Sequence, residues 1–282
     1  MPNRREFLMG CSTAIAAMAG ARFGTLAFAD GNEPSQDQIL VFVFFRGGMD
    51  GLNFLAPVDD PNYIDARTPL TSIFEKGQYA GLQLNNAYPG FDFRLNHNGA
   101  ALKELYDNKN LAFIHASGLT NATRSHFEAQ DLVDLGLADL DLLSYRSGWL
   151  ERLISASNGE QGTLPVVSMS GNVQKSLRGE RDAVSIPNPY GFAFVGNQEQ
   201  QKAVESLYQG KGILSKAGLD TFSAVKSVQD NLPREANRRP KPYVPSAGVT
   251  YPNYGLAHTF ESLAQLIKMD VGLKFATIDY GG

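Results

Sequence analysis

Asp50 is the first residue whose type and position in the sequence could support chemistry. It follows an unbroken apolar run, 39–45, and two glycines, Gly47 and Gly48. Such a run predicts a strand buried on both faces, and the glycines allow a sharp exit from it. Ligands bind at the carboxyl ends of strands in open α/β sheets, so Asp50 is a candidate ligand of a hard cation. Asp-Gly is also a common turn pair, and both interpretations stay open.

A second group of side chains, Arg124, Ser125 and His126, precedes an apolar helical pattern. A serine at a helix N-terminus could act as a nucleophile, because the helix dipole stabilises an attacking oxygen and an anionic substrate. Arg124 could hold phosphate or sulfate oxygens, and His126 could bind a metal or transfer a proton. The alternatives are a helix cap for Ser125 and a packed ring for His126. Asp131 lies on another helical face and is interpreted as a structural partner.

The other histidines are weaker candidates, because their spacing is not that of metal ligands. His115 ends an apolar run and could line the same sheet edge as Asp50, while His97 and His258 are isolated. His258 is interpreted as a packing or surface residue. The sequence contains no phosphate-binding loop, paired-histidine zinc helix, nucleophile elbow or dinucleotide-binding glycine pattern.

The elements that must position these residues alternate between strand and helix. Apolar runs predict strands over 39–45, 111–115, 164–169, 183–186, 192–195 and 273–278. Helical patterns cover 99–106, 121–136, 148–156, 198–208, 213–232 and 256–267. Because there is no repeat unit or sandwich-like spacing, we predict an α/β fold, a three-layer αβα domain over residues 30–282 with a largely parallel central sheet.

Two segments interrupt this alternation. Residues 55–98 contain four prolines and several glycines, which predict a long irregular loop. Its tyrosines and phenylalanines favour an ordered segment with a binding role. Residues 233–252 are proline-rich and carry a basic cluster. This segment is interpreted as a solvated connector, and a patch that attracts substrate is the alternative.

Residues 1–29 have the features of a cleaved export signal. Arg4 and Arg5 precede a weakly apolar stretch, and small residues at 27–29 provide a cleavage site. The pattern resembles a twin-arginine signal, so the twin-arginine translocase is a predicted partner and the periplasm or cell exterior the predicted location. A membrane anchor is the alternative. Since Arg22 interrupts the apolar stretch, we expect no stable membrane insertion after cleavage.

Charge and cysteine content exclude several classes of function. Three arginines and one glutamate leave with the signal, which leaves 22 basic and 28 acidic residues and a net charge of −6. An acidic protein is poorly suited to nucleic acid or an anionic membrane. The only cysteine, Cys11, also leaves with the signal. Disulfides, zinc–thiolate sites and cysteine nucleophiles are therefore excluded after cleavage.

Several fragments together resemble one known family. They are the twin-arginine start, FFRGGMDGLN at 44–53, DPNY at 60–63, LNH at 95–97, the run 113–131 that contains RSHFEAQD, and the strand at 273–282. These fragments resemble the domain of unknown function 1501 family, which is similar to the alkaline phosphatase and sulfatase superfamily. The resemblance covers nearly the whole chain after the signal, and it implies that superfamily's αβα fold.

The resemblance also implies roles for particular residues. In that superfamily an aspartate after the first strand binds metal, and a hydroxyl or modified cysteine at a helix N-terminus is the nucleophile. Carried onto this sequence, Asp50 is the metal ligand and Ser125 is the catalytic nucleophile. Arg124 and His126 are its catalytic neighbours. The alternative nucleophiles are Thr123 and Thr120. The implied cofactor is a divalent metal, either zinc, calcium or manganese.

Members of the family usually continue after the last Gly-Gly pair with a Trp-Asp-Thr-His motif and further metal ligands. This sequence ends at Gly282, so we expect a truncated chain with an incomplete metal centre. The expected function is that of an exported metal-dependent hydrolase of phosphate or sulfate esters, with a small anionic ester or glycan as substrate. The alternative is a non-catalytic secreted binding or assembly protein that uses residues 55–98.

Overall fold

The computed structural model of the chain describes residues 38–67, 79–85, 89–144, 147–157, 162–179 and 183–281. The predicted export signal therefore lies outside the described residues. The chain divides into two compact units. The first takes in Met1–Phe44 and Thr123–Tyr280, and the second takes in Phe45–Ala122 with Gly281–Gly282. That residues 30–282 form a single domain stays a prediction.

The described residues contain both strands and helices. The strands are β1 (Leu40–Phe45), β2 (Leu55–Pro57), β3 (Leu82–Gln83), β4 (Phe93–Leu95), β5 (Val166–Ser168), β6 (Ala183–Ser185) and β7 (Phe275–Tyr280). The helices are α1 (Gly51–Phe54), α2 (Pro61–Ala66), α3 (Ala100–Asp107), α4 (His126–Leu135), α5 (Trp149–Ala156), α6 (Gln198–Ser206), α7 (Ile213–Asn231) and α8 (Gly255–Lys268). All six predicted helices are confirmed, with shifted ends. Within the described ranges, none of these helices has the length and apolar character needed to span a bilayer.

The first unit is built around a four-stranded sheet in the order β1-β7-β5-β6. β5 pairs in parallel with both β6 and β7, so that Ser168 lies opposite Ser185 and Thr277. Alternate residues serve different cores: Val167 packs with α7 and α8, whereas Val166 packs against α5. Helices therefore flank both faces of a parallel sheet, which is compatible with the predicted three-layer α/β fold.

β1 is confirmed as a strand, but its burial differs from the prediction. Its first five residues are half-buried, and Phe45 is 42% exposed. β1 stands at the end of the strand order of the described sheet, where β7 is its neighbour. A terminal strand has less cover than a central one, so the expectation of burial on both faces is wrong here.

The second unit contains a small antiparallel sheet in the order β2-β4-β3. Leu95 of β4 lies opposite Leu55 of β2 and Leu82 of β3, and the unit's core includes Leu55, Leu84 and Leu95. The expectation of an irregular loop over 55–98 is therefore wrong for the described parts of that segment. Strands of two or three residues between prolines and glycines are too short to give a periodic signal in the sequence.

Two predicted strands do not form. Over 111–115 half-buried and exposed residues alternate, and Ile114 is 69% exposed. Phe113 packs against the core of the second unit, so this segment is extended without being part of a sheet. The segment 192–195 follows a 3₁₀ turn, and Val195 is fully exposed. In both places a short apolar run predicted a strand that does not form.

A close backbone approach before α5 gives a test of the packing. A Cβ atom built at Gly148 would lie 2.0 Å from the carbonyl oxygen of Ser176. We expect Gly148→Ala to lower the free energy of unfolding by about 1–3 kcal/mol, because the turn at Lys175–Leu177 must shift. Urea denaturation measures this loss. Gly171→Ala is the matched control, since its Cβ would meet nothing within 4 Å. Equal effects of the two substitutions would contradict the packing described.

Candidate functional site

The chain leaves β1 through a glycine turn that places Asp50 at the start of α1. Gly47 and Gly48 have φ values of 79° and 91°, a region that favours glycine. A Cβ at Gly281, which follows β7, would lie 2.9 Å from the Arg46 carbonyl oxygen. The exits of the two strands are therefore in close contact within the second unit. The Asp50 side chain caps α1, where its Oδ1 accepts a hydrogen bond from the Asn53 N–H at 3.1 Å.

Asp50 also forms an ion pair with Arg67, at 2.5 Å between Oδ2 and Nη1. The hydrogen bond from Arg67 lowers the pKa of the Asp50 carboxyl below its ordinary value; partial desolvation opposes this, and the Asn53 N–H adds to it. The Asp50 side chain is 44% exposed. An ionised, accessible carboxylate suits both open interpretations, because it caps a turn and is available to a cation. The contact between Asp50 and Arg67 was not predicted from the sequence, because no sequence pattern indicates an ion pair between residues 17 positions apart.

Three side-chain oxygen atoms of the second unit are buried without a hydrogen-bond partner among the described residues. They are Asn53 Oδ1, the hydroxyl oxygen of Tyr63 and Asp92 Oδ1. Tyr63 lies on α2 and is only 6% exposed. Burial raises the pKa of its hydroxyl, while the Arg67 charge lowers it and the Asp50 charge raises it. The Tyr63 hydroxyl is thus within electrostatic range of the ion pair.

Fragments that carry the family resemblance meet in this unit. The side-chain amide of Asn96 donates to the carbonyl oxygen of Asn53 at 3.5 Å, and the Asn96 N–H donates to the Phe54 carbonyl oxygen at 2.8 Å. The LNH fragment therefore contacts the end of the GMDGLN fragment. DPNY contributes Tyr63, and its Asp60 caps α2. Two of the fragments are therefore in contact, and all three belong to the second unit.

The N-terminus of α4, in the first unit, holds the predicted nucleophile. Ser125 is half-buried and caps the helix, where its Oγ accepts the Glu128 N–H at 3.3 Å. The helix ends at Gly136, whose φ of 60° closes it in the left-handed conformation. The structure therefore confirms that Ser125 is a helix cap. This bond uses a lone pair of Oγ, so the hydroxyl hydrogen remains available for another acceptor.

A hydroxyl–carboxylate contact lies beside Ser125. The Thr123 hydroxyl donates to Glu128 Oε2 at 2.5 Å and accepts the Ser125 N–H at 3.2 Å. A hydroxyl within hydrogen-bond reach of a carboxylate has the geometry of a nucleophile with its base. The sequence raised Thr123 only as an alternative and gave Glu128 no role. Thr123 precedes α4, so its contact with Glu128, five residues away, is not one between turns of a helix.

The neighbours of Ser125 face solvent. Arg124 and His126 are exposed, and no described residue pairs with the Arg124 guanidinium. Phe127 is one of the apolar residues of the helical pattern over 121–136, but its ring is 82% exposed. The buried face of α4 instead includes Leu132 and Leu135. The helix N-terminus thus presents a cation, an imidazole and an aromatic ring together.

The structure also shows the contacts or position of the remaining candidate residues. Asp131 forms an ion pair with Lys175. The His115 ring stacks on Phe93 at 4.2 Å between centroids, and burial lowers the pKa of His115. His258 contacts Asn253 and Glu261 on the surface of α8, in agreement with its interpretation as a surface residue. The His97 ring packs against Tyr79. Thr120 lies in an exposed segment outside any helix.

The structure brings Arg124, Ser125 and His126 together in the first unit, while Asp50 belongs to the second unit. Over the described ranges, no group of three or more histidine, cysteine, aspartate or glutamate side chains is placed to hold a metal ion. No protein-family model, curated protein or solved structure matches the chain. The likeness to the domain of unknown function 1501 family therefore stays a prediction from the sequence fragments.

The Ser125 cap can be measured separately from any chemistry. Ser125→Ala should lower the free energy of unfolding by about 1 kcal/mol, because the Glu128 N–H loses its acceptor. Ser125→Asp should retain most of the stability, since aspartate also caps helices. Ser155→Ala, at an exposed serine of α5, is the control and should change stability by less than about 0.5 kcal/mol. Urea denaturation distinguishes these values, and an unchanged Ser125→Ala protein would contradict the cap.

The Asp50 ion pair predicts a pH-dependent contribution to stability. Asp50→Asn should lower the free energy of unfolding near pH 7 by less than about 1 kcal/mol, because water screens a half-exposed pair. The pKa of Asp50 is lower in the folded protein than in the unfolded chain. Its contribution is therefore fully present above about pH 4 and is lost as the pH falls through the folded value. Urea titrations across this range should show the two proteins converging in acid. A gap that persists there would contradict the ion pair's role.

Proposed function

We propose that this chain is an exported hydrolase of phosphate or sulfate esters of the alkaline phosphatase and sulfatase type. The observation that carries the proposal is the N-terminus of α4, where the Thr123 hydroxyl contacts the Glu128 carboxylate beside Ser125 and Arg124. A hydroxyl nucleophile, a base and a cation for the ester oxygens are what such a reaction needs. The export signal and the sequence fragments support the superfamily and a periplasmic or extracellular location.

The first step is attack by a hydroxyl oxygen on phosphorus or sulfur. Ser125 is the nucleophile that the resemblance implies, and the contact with Glu128 supports Thr123 as the alternative. The attacking hydroxyl gives its proton to Glu128 when Thr123 attacks, and to a solvent water when Ser125 attacks. The bond from phosphorus or sulfur to the leaving alcohol breaks, and His126 donates a proton to that alcohol. Water then hydrolyses the enzyme ester, which releases phosphate or sulfate and restores the hydroxyl.

The exposed neighbours would bind the substrate. Arg124 would hold two ester oxygens in a fork, and the N–H groups of the first turn of α4 would favour the anion. Phe127, which is 82% exposed, would contact an apolar alcohol group. These features favour an aryl ester or a similar small anionic ester as substrate.

Asp50 is the residue that would hold a divalent cation. Its carboxylate is ionised and accessible, which fits a cation, but Arg67 neutralises it in this structure. A zinc, calcium or manganese ion bound by Asp50 would supply a Lewis acid within the second unit. One carboxylate is a weak ligand set, so the affinity of the chain for a cation should be low.

A second candidate function is glycan or partner binding without catalysis. Tyr79 and Phe91 of the second unit are 54% and 45% exposed, and the Phe91 ring stacks on Phe93 at 6.0 Å. Exposed aromatic rings on an ordered scaffold provide apolar faces for sugars. Tyr79→Ala should then weaken glycan binding while leaving any ester hydrolysis unchanged.

Ester hydrolysis is tested with the purified chain on aryl phosphates and aryl sulfates, with manganese, calcium or zinc added. We expect turnover that falls by about a thousandfold in Thr123→Val or in Ser125→Ala, depending on which hydroxyl is the nucleophile. Arg124→Gln should raise KM more than it lowers kcat if Arg124 mainly binds the ground-state oxygens.

Thr259→Val is the matched control for the threonine substitution. Thr259 lies on α8 and donates to the Gly255 carbonyl oxygen, so its loss should leave turnover unchanged. Circular dichroism checks that each variant is folded. Turnover that survives in both Thr123→Val and Ser125→Ala would contradict the proposed nucleophile. A complete absence of turnover, with glycan binding that depends on Tyr79, would favour the second candidate.

A further inference from the structure

The pair of helices α6 and α7 exposes large aliphatic side chains that neither the fold nor the proposed reaction uses. Leu207 caps the end of α6, while Ile213 and Leu214 begin α7, and they are 77%, 73% and 82% exposed. None of the nine residues of α6 is buried. A single exposed leucine is ordinary in a folded protein, but three aliphatic side chains beside one short connection form an apolar surface.

Contacts across the connection between α6 and α7 order the hairpin tip, which we define as residues 206–219. A Cβ atom built at Gly218 would lie 2.1 Å from the Tyr208 ring, so Tyr208 packs directly on α7. A Cβ atom built at Gly210 would lie 2.7 Å from the Ser215 hydroxyl oxygen. The chain is therefore fixed on both sides of the connection, and the exposed aliphatic side chains belong to an ordered turn.

The charge of the hairpin tip differs in sign from that of the whole chain. The tip contains Lys211 and Lys216 and no acidic residue, whereas the chain has a net charge of −4. Lys211 is exposed and has no partner among the described residues, and Lys216 lies 3.6 Å from Asp220. Lysines around exposed aliphatic side chains are complementary to a phospholipid surface, where acyl chains lie beneath phosphate groups.

We propose that the hairpin tip docks peripherally on the surface of a phospholipid bilayer. Leu207, Ile213 and Leu214 would enter the boundary between the headgroups and the acyl chains. Lys211 and Lys216 would keep their ammonium groups at the headgroup phosphates while their stems follow the apolar surface. This inference goes beyond the proposed ester hydrolysis, because it concerns a surface of the first unit that does not include the N-terminus of α4.

The lysines also favour a bilayer over a second copy of the chain as the occupant. In a symmetric contact between two tips, Lys211 and Lys216 of one copy would face the same lysines of the other, and like charges oppose such a contact. Anionic headgroups would attract these lysines instead. The net negative charge of the chain opposes its approach to an anionic membrane, so we expect weak, reversible docking and no stable insertion.

The experiment is sedimentation of the purified chain with vesicles of phosphatidylcholine and phosphatidylglycerol at low salt. We expect Leu214→Ser to lower vesicle binding about tenfold, because a large aliphatic side chain no longer leaves water. Lys211→Gln should lower binding about fivefold on these vesicles and should have little effect on vesicles of phosphatidylcholine alone. Circular dichroism checks that each variant is folded.

Residues at the opposite ends of the same helices provide the matched controls. Val195 precedes α6 and is fully exposed, and Arg239 follows the end of α7, which is about 28 Å long. Val195→Ser and Arg239→Gln should leave vesicle binding unchanged. If Arg239→Gln lowers binding as much as Lys211→Gln does, the attraction is a general property of exposed cations and the docking site is wrong.

An introduced tryptophan gives a second measurement, which reports insertion directly. The only tryptophan of the sequence, Trp149, is half-buried and its ring meets Phe42 edge-on. Its fluorescence should therefore not change when vesicles are added to the original chain. Leu214→Trp should show a blue shift with vesicles because its ring leaves water, whereas Val195→Trp should show none.

The outcomes separate this inference from the proposed function. Vesicle binding that falls in Leu214→Ser, with a blue shift in Leu214→Trp, supports the docking even if the chain hydrolyses no ester. Absence of vesicle binding, or binding that Leu207→Ser and Leu214→Ser leave unchanged, overturns the docking even if the chain hydrolyses esters. A dimer in light scattering that Leu214→Ser dissociates also overturns it, because the tip would then be a contact between copies.

Discussion

The parallel pairing of β5 with β6 and β7 is the constraint on which the first unit depends. A strand with neighbours on both sides and helices on both faces is buried on both faces, and Val166 and Val167 are both fully buried. Their side chains point to opposite faces, so two separate cores form, one with α5 and one with α7 and α8. The parallel direction also gives these strands a shared carboxyl edge.

Local patterns account for what could be predicted from the sequence. Helices α3, α4, α5, α7 and α8 were predicted because apolar residues recur at helical spacing, whereas the short helices α1 and α2 were not predicted. Gly136 ends α4 as its conformational freedom allows. The sheet of the second unit was missed because β3 has only two residues and β4 three. The Arg67 and Glu128 contacts were missed for another reason. Asp50 and Arg67 are separated by α1, β2 and α2, and Thr123 precedes α4, so neither contact follows from helical spacing.

Structural and chemical roles coincide at both candidate sites. Ser125 uses an acceptor lone pair for the cap, which leaves its hydrogen for chemistry, and Asp50 caps α1 while it remains ionised. A side chain held by a cap has a fixed position, which is an advantage for a nucleophile or a ligand. The turn and cap interpretations therefore do not compete with the functional ones. They describe how the fold would orient the reactive groups.

The central claim is that a hydroxyl at the N-terminus of α4 becomes esterified during turnover. The most direct measurement is acid quenching of the chain during reaction with an aryl phosphate, followed by tandem mass spectrometry of the peptide that spans residues 120–128. We predict a phosphoryl group on Ser125 or Thr123, and its loss from the variant that lacks that hydroxyl. A modified residue elsewhere in the chain, or turnover with no modified peptide under quenching that preserves phosphoserine and phosphothreonine, would contradict the claim.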